Sequence, residues 1–240
     1  VFMALFGVNF NIFYFLVIGN FVAVYKNEEL RWYFGIMIAA ILLIMIDIKS
    51  MYGSWGQALR YSSFQVSTIM TTTGYSTTNF DLWPEFSKVI LLLLMFFGAS
   101  AGSTAGGLKI SRIIILLRSA KNEICQVQHP RSVNMVRMDG KVLPKETTNA
   151  VKGYFVIYMA IFAGSILLLA LDKKDFLTDF SAVASCFNNI GPGFSLVGPT
   201  ASFSHYSELS KIVLTFDMLL GRLEIFPILL ALSPKTWRRR

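Results

Sequence analysis

The chain has 240 residues, 54% of them hydrophobic and only 15% charged, with a mean hydropathy of +0.56; soluble domains carry about a quarter charged residues, so an ordinary soluble fold is excluded. The net charge of +8 gathers at Lys109, Arg112, Arg118, Lys121, Arg131, Arg137, Lys141 and Lys145, and again at Lys235, Arg238, Arg239 and Arg240. Beside apolar spans the positive-inside rule accounts for both clusters, which places residues 109–149 and 233–240 in the cytoplasm and leaves no need for nucleic acid as a partner.

In chain order, residues 1–24 form a first apolar run that starts without a methionine or a signal-peptide pattern, and residues 1–25 read as the end of a preceding transmembrane helix. Residues 32–48 make a second span. Residues 52–80 are too polar for a plain lipid-facing helix: 57–70 fit a short helix, and 71–78 (Thr-Thr-Thr-Gly-Tyr-Ser-Thr-Thr) fit extended backbone around Gly74. Residues 83–118 would reach about 54 Å as one helix, well beyond a hydrocarbon slab of about 30 Å. A basic segment, 119–149, follows. Then come a span at 151–171, a second half-polar stretch at 174–206, a last span at 208–232 and the basic tail 233–240. Cys125 and Cys186 have neither metal-binding spacing nor a shared environment for a disulfide. His129 and His205 lie in polar segments and read as solvated.

The order contains a repeat. Glu85-Phe86-Ser87-Lys88-Val89-Ile90-Leu91 matches Glu208-Leu209-Ser210-Lys211-Ile212-Val213-Leu214, and the register continues to pair Met95 with Met218 and Gly98 with Gly221. Each copy is preceded by a glycine-containing polar turn and an apolar span, so the unit is span, half-polar hairpin, span. With the basic segments inside, both hairpins enter and leave from the outer side. An external loop rich in capping and turn residues is the plainer reading of any single hairpin. Its repetition between spans favours a re-entrant pore element, because non-helical backbone at membrane depth is tolerated only where it faces water or protein. A short helix aiming its C-terminal end at an extended, carbonyl-bearing turn favours a cation. The second copy places a helix at 179–187 and a turn at Asn188-Asn189-Ile190-Gly191-Pro192-Gly193.

The excess length of 83–118 coincides with ten small residues, Gly98-Ala99-Ser100-Ala101-Gly102-Ser103-Thr104-Ala105-Gly106-Gly107. A helix break near mid-membrane, resuming at 108–117, would put a flexible loop below the carbonyl ring as a gate. A helix-packing face is the alternative; a phosphate-cradling loop lacks its Gly-Lys-Ser/Thr ending. Arg222 within the last span marks a functional position by its cost. It lowers cation occupancy below the filter, or holds the glycine-rich loop by its carbonyls, or pairs with Glu224 or Asp217.

Thr72-Thr73-Gly74-Tyr75, the run from Gly98 to Leu108-Lys109, Asn188-Asn189-Ile190-Gly191-Pro192-Gly193 and Gly221-Arg222-Leu223-Glu224 together resemble the signature segments of the TrkH/KtrB/HKT potassium transporters, with the third and last closer in form to TrkH. The resemblance covers nearly the whole chain. It implies an all-α membrane protein of span–re-entrant pore helix–span units around a pseudo-fourfold axis, with residues 32–118 as the third unit and 150–232 as the fourth. It implies a K+ selectivity filter at Thr72, Thr73, Gly74, Asn189, Ile190 and Gly191, and a gate at Gly98, Gly102, Ser103, Gly106, Gly107, Lys109 and Arg222. K+ would be the transported ion, with no bound cofactor. A homodimer in the plasma (inner) membrane is implied, contacting lipid and docking a cytoplasmic TrkA-like nucleotide-binding ring on its basic segment. Asp217 and Pro227 have no place in that pattern. The chain supplies two filter strands, half a cage, and reads as part of a longer protein. An ion-coupled secondary transporter also uses broken helices, but usually with inverted repeats, whereas these two units share one orientation. A membrane enzyme finds no nucleophile–base pair, metal spacing or paired carboxylates in its favour.

Overall fold

The structure, a computed structural model, describes residues 1–129, 135–223 and 225–232. Its elements are helices α1 (Phe2–Phe6), α2 (Phe10–Val17), α3 (Phe21–Lys26), α4 (Glu28–Tyr52), α5 (Trp55–Met70), α6 (Glu85–Phe96) and α7 (Ile110–Gln128), the strands β1 (Arg137–Met138) and β2 (Lys141–Val142), and then α8 (Lys145–Leu169), α9 (Phe176–Phe187), α10 (Glu208–Leu223) and α11 (Ile225–Leu232).

The repeat is visible as architecture. α4, α5 and α6 form one layer-and-hairpin unit, and α8, α9 and α10 form the other. α4 buries Tyr33, Met37, Ala40, Ile44 and Ile48, a stripe of alternating three- and four-residue steps that faces α5. Its other face shows Ile38, Leu42, Leu43 and Ile46 to the surroundings. α8 does the same, with Tyr154, Tyr158, Phe162, Ser165 and Leu169 inward and Val156, Met159 and Leu167 outward. Helices apolar on both faces belong in lipid, and residues 28–52 and 145–172 are each long and apolar enough to cross a bilayer. Even the surface ion pairs repeat: Glu85 with Lys88 at 3.0 Å, and Glu208 with Lys211 at 2.9 Å.

The two units meet through aromatic rings. Phe162 of α8 packs edge-on against Phe96 of α6 and Phe180 of α9, each at 5.3 Å. Near the outer ends, Phe80 packs on Phe194 at 5.3 Å, while the Asp81 carboxylate accepts the Ser195 N–H at 3.0 Å. His205 is half-buried beside Tyr206 rather than simply solvated. The cysteines are both free.

Two stretches depart from the sequence expectation. The first apolar run is three short helices, not one span end. Asn9 accepts the Asn11 N–H at 2.9 Å and Asn20 accepts the Ala23 N–H at 3.2 Å, so each asparagine opens a new helix inside an uncharged segment. At Gly7 an added Cβ would lie 2.2 Å from the Tyr33 hydroxyl, so the chain bends there because α4 leaves no room for a side chain. The basic segment 119–149 carries secondary structure that its charge did not signal. α7 runs on to Gln128, α8 begins at Lys145, and between them β1 and β2 pair antiparallel, Arg137 with Val142 and Met138 with Lys141, around Asp139 and Gly140 at φ +51° and +77°. Glu224 and Arg131, named above, and the tail 233–240 lie outside the described residues.

Candidate functional site

The half-polar hairpins are short helices ending in the same turn. After α5, the Thr71 N–H bonds Ser67 O at 3.0 Å, Thr72 bonds Ile69 O at 3.1 Å, and Thr73 reaches back to Thr68 O at 2.9 Å. After α9 the pattern recurs position by position: Asn188 to Ala184 O at 3.2 Å, Asn189 to Cys186 O at 3.1 Å, Ile190 to Ser185 O at 2.9 Å. Thr72 (φ +53°) matches Asn189 (φ +58°), and Gly74 (φ +81°) matches Gly191 (φ +116°). A β-branched residue rarely adopts positive φ, so Thr72 holds local strain that its surroundings must enforce. The helices are longer than the sequence suggests at their outer ends, since α5 starts at Trp55 and α9 at Phe176, where Asp175 accepts the Thr178 N–H at 3.0 Å.

The two turns converge. A Cβ on Gly74 would stand 2.2 Å from the Ile190 carbonyl oxygen, and one on Gly191 would stand 3.7 Å from the Gly74 Cα. Carbonyls of both units are thereby brought to one place between the helices. Ile190 has its side chain buried, and what it offers here is backbone oxygen.

Directly against these turns lies the glycine-rich loop. α6 ends at Phe96 and α7 starts at Ile110, and the loop between closes on itself: the Gly98 N–H bonds Leu108 O at 2.8 Å and the Ile110 N–H bonds Ala99 O at 3.3 Å. Such a pinched loop packs through its own backbone. Gly106 donates its N–H to Thr72 Oγ1 at 2.9 Å, and a Cβ there would meet Asn188 O at 2.6 Å. Gly107, at φ +72°, would carry a Cβ 3.1 Å from Asn188 Oδ1. Ser103 turns inward to Ser100 O at 2.6 Å, and Gly102 accepts the Phe10 N–H at 3.3 Å.

Two cations grip consecutive carbonyls of this loop. Arg222 Nη1 donates to Thr104 O at 2.9 Å, and Lys109 Nζ donates to Ala105 O. Of the contacts open to Arg222, the hydrogen bond to the loop is present among the described residues, which do not include Glu224. Asp217 is engaged elsewhere, accepting the Ser165 hydroxyl of α8 at 2.8 Å. A cavity of about 340 Å³ opens on the loop's far side, lined by residues 102–107, Lys109, Arg112, Tyr154 and Arg222. The Arg112 guanidinium covers the Tyr154 ring there at 4.1 Å.

Sequence reasoning missed Glu29. Buried in the first turn of α4, it bonds the glycine-rich loop, yet beside Glu28 it reads as the hydrated end of a span. It also missed Gly7 and Asn9, which touch the loop from the first helices.

Paired span–re-entrant helix–span units with carbonyl-bearing turns that meet define a mostly helical membrane protein built by internal repetition. The chain belongs to the TrkH cation transport protein family, whose pattern it matches over residues 29–239. It is 38% identical to the Trk system potassium uptake protein TrkH of Vibrio parahaemolyticus over 89% of this chain and 44% of that one. It is 32% identical to the protein of the same name from Salmonella typhimurium over 99% of this chain and 50% of that one. The crystal structure of the potassium transporter TrkH from Vibrio parahaemolyticus superposes with a TM-score of 0.88 at 35% identity, covering 99% of this chain and 51% of that chain. The chain thus spans about half the length of the curated relatives it matches.

Proposed function

We propose that this chain forms two of four sides of a potassium pathway across the plasma (inner) membrane. Residues 32–118 and 150–232 serve as the third and fourth pore units. Backbone oxygens of Thr72, Thr73, Gly74, Asn189, Ile190 and Gly191 stand in for the water that K+ gives up on entering. The C-terminal ends of α5 and α9 add favourable negative potential. The glycine-rich loop, held by Lys109 and Arg222, lies below these oxygens and obstructs the way, with Gly98, Gly102, Ser103, Gly106 and Gly107 letting its backbone fit. The convergence of Gly74 on the Ile190 carbonyl is the observation that carries this reading. The names of the relatives support potassium as the ion. The remaining two sides come from a further half of the protein. A homodimer in lipid is the assembly that goes with this family, with the cytoplasmic residues 109–149 and 233–240 facing a TrkA-like nucleotide-binding ring.

Rubidium and potassium flux through the full-length protein in liposomes tests it. Gly74→Ser puts a side chain against the Ile190 carbonyl at a positive φ, and its flux should fall at least about tenfold, the change a cost of about 1.4 kcal/mol produces. Arg222→Ala removes a charge-assisted bond to the loop and should raise flux about fivefold or more. Indifference to both substitutions overturns the assignment.

A further inference from the structure

Glu29 sits in the first turn of α4, 4% exposed, far in sequence from the glycine-rich loop. Its Oε1 accepts the Ala101 N–H at 2.7 Å, inside the loop, and the Ser111 N–H at 3.2 Å, in the first turn of α7. α7 opens at Lys109 without a side-chain cap of its own. A carboxylate from another helix therefore supplies both the acceptor and the negative charge that a helix start favours. Oxygens of this kind form the stronger class of hydrogen bond.

The neighbouring residue extends the connection to the cytoplasmic hairpin. The Glu28 N–H donates to Asp139 Oδ1, in the β1–β2 turn, at 2.7 Å. The Glu28 carboxylate pairs with Arg118 of α7 at 2.7 Å, and Arg118 also donates to the Arg137 carbonyl of β1. From the hairpin to the loop the path is thus Asp139, the first turn of α4, Glu29, Ala101. Its two hydrogen bonds join segments more than seventy residues apart, and the step between them is the peptide bond from Glu28 to Glu29.

We propose that Glu29 is the positioning residue that holds the glycine-rich loop across the pathway, and that the β1–β2 hairpin, joined to it through Glu28, is the lever whose displacement releases the loop. This rests on the pathway reading given above. Arg222 and Lys109 hold the loop from the α10 side and from its own C-terminal end, at Thr104 and Ala105. Glu29 holds the opposite limb at Ala101, and it is tied to the cytoplasmic hairpin through its neighbouring residue. A tug on Asp139 moves the α4 start, and with it the Ala101 anchor, while leaving the filter turns in place.

The full-length protein in liposomes, read by rubidium uptake and by hydrogen exchange over residues 98–111, tests the proposal. Glu29→Ala is expected to raise uptake about fivefold or more, the shift one net hydrogen bond gives a two-state equilibrium, and to speed exchange at Ala101 and Ser111. A purely structural loss would lower uptake instead. Glu29→Gln keeps an acceptor oxygen in place and should return uptake to within about twofold of wild type. Asp139→Gly preserves the positive φ while removing the bond to Glu28, and should raise uptake in the same direction; being exposed, it decides the matter if Glu29→Ala fails to fold. Folded Glu29→Ala protein with unchanged or reduced uptake overturns the positioning role, and an inert Asp139→Gly overturns the lever. Faster exchange in Glu29→Ala with no rubidium uptake by any protein in the series, wild type included, would keep the anchor and overturn the pathway.

Discussion

At the scale of single residues, space decides what each glycine does. A Cβ at Gly221 would lie 1.8 Å from the Phe187 carbonyl oxygen and 2.8 Å from Asn189 Nδ2, so α10 sits flush on the end of α9. Asn189 Nδ2 in turn donates to Met218 O at 3.1 Å, which ties the turn after α9 to that helix. Gly221→Ala should cost about 1–3 kcal/mol or more, since backbone cannot move aside as a flexible side chain can. It should also disturb ion selectivity, because the displaced group is the start of the turn. Gly164 of α8 has nothing within 4 Å of an added Cβ, and Gly164→Ala should be neutral or stabilise the helix by up to about 1 kcal/mol. Thermal unfolding in detergent, followed by size exclusion, separates the two; equal behaviour would mean that α10 does not seat on Phe187. Arg222, one residue on, obeys the same geometry. Its neighbour's lack of a side chain lets α10 approach closely enough for the guanidinium to reach Thr104.

At the scale of elements, the re-entrant helices depend on how their outer ends are capped. Asp175 opens α9 by accepting the Thr178 N–H, and the Thr178 hydroxyl bonds the same carboxylate. The Thr178 bond is the main cause that holds the Asp175 carboxyl below the usual carboxylate range. A carboxyl whose pKa is depressed in the folded state contributes fully above its unfolded value, about 3.9, and loses that contribution only as pH falls through the lower folded value. The α9 cap should therefore be unchanged between pH 8 and pH 5. Asp175→Ala should cost about 1 kcal/mol at neutral pH and flatten the acid end of the stability profile; a cap that weakens already at pH 6 would contradict this. The elements also show what was legible in the sequence. The re-entrant helices, the repeat and the break before Gly98 could be read because small residues, turn glycines and matched charges act locally. The helix starts at Asn9 and Asn20 were hidden by a run read only for apolarity, although asparagine is a capping residue. Asp139-Gly140 was likewise a hairpin signal within a segment read for its charge. Glu29 could not be read locally at all, since its partners Ala101 and Ser111 come from a different helix and loop.

At the scale of the whole molecule, the two units are joined at one end by Asp81 on the Ser195 N–H and Phe80 against Phe194, and elsewhere by Phe96, Phe162 and Phe180. Ser195 has φ +57°, a costly conformation for serine, and the carboxylate bond helps to hold it. Asp81→Ala should therefore loosen the chain that follows the Asn189–Gly191 turn, broaden cation selectivity and lower stability by about 1–2 kcal/mol, whereas Asp81→Asn, which keeps an acceptor, should recover most of both. Competition of sodium against rubidium uptake reads the first effect, and an unchanged ratio in Asp81→Ala would place the joint outside the filter's support. The two turns themselves share positive φ at matching positions and the same hydrogen-bond pattern while differing in nearly every side chain, Thr72 against Asn189 and Thr73 against Ile190. When peptide oxygens do the work, the duplicated halves are free to diverge in what hangs from them. One copy has spent that freedom on a hydroxyl that meets Gly106, the other on an amide that meets Met218. The same backbone turn thus meets the glycine-rich loop on one flank and is braced by α10 on the other, with its peptide oxygens involved in neither contact.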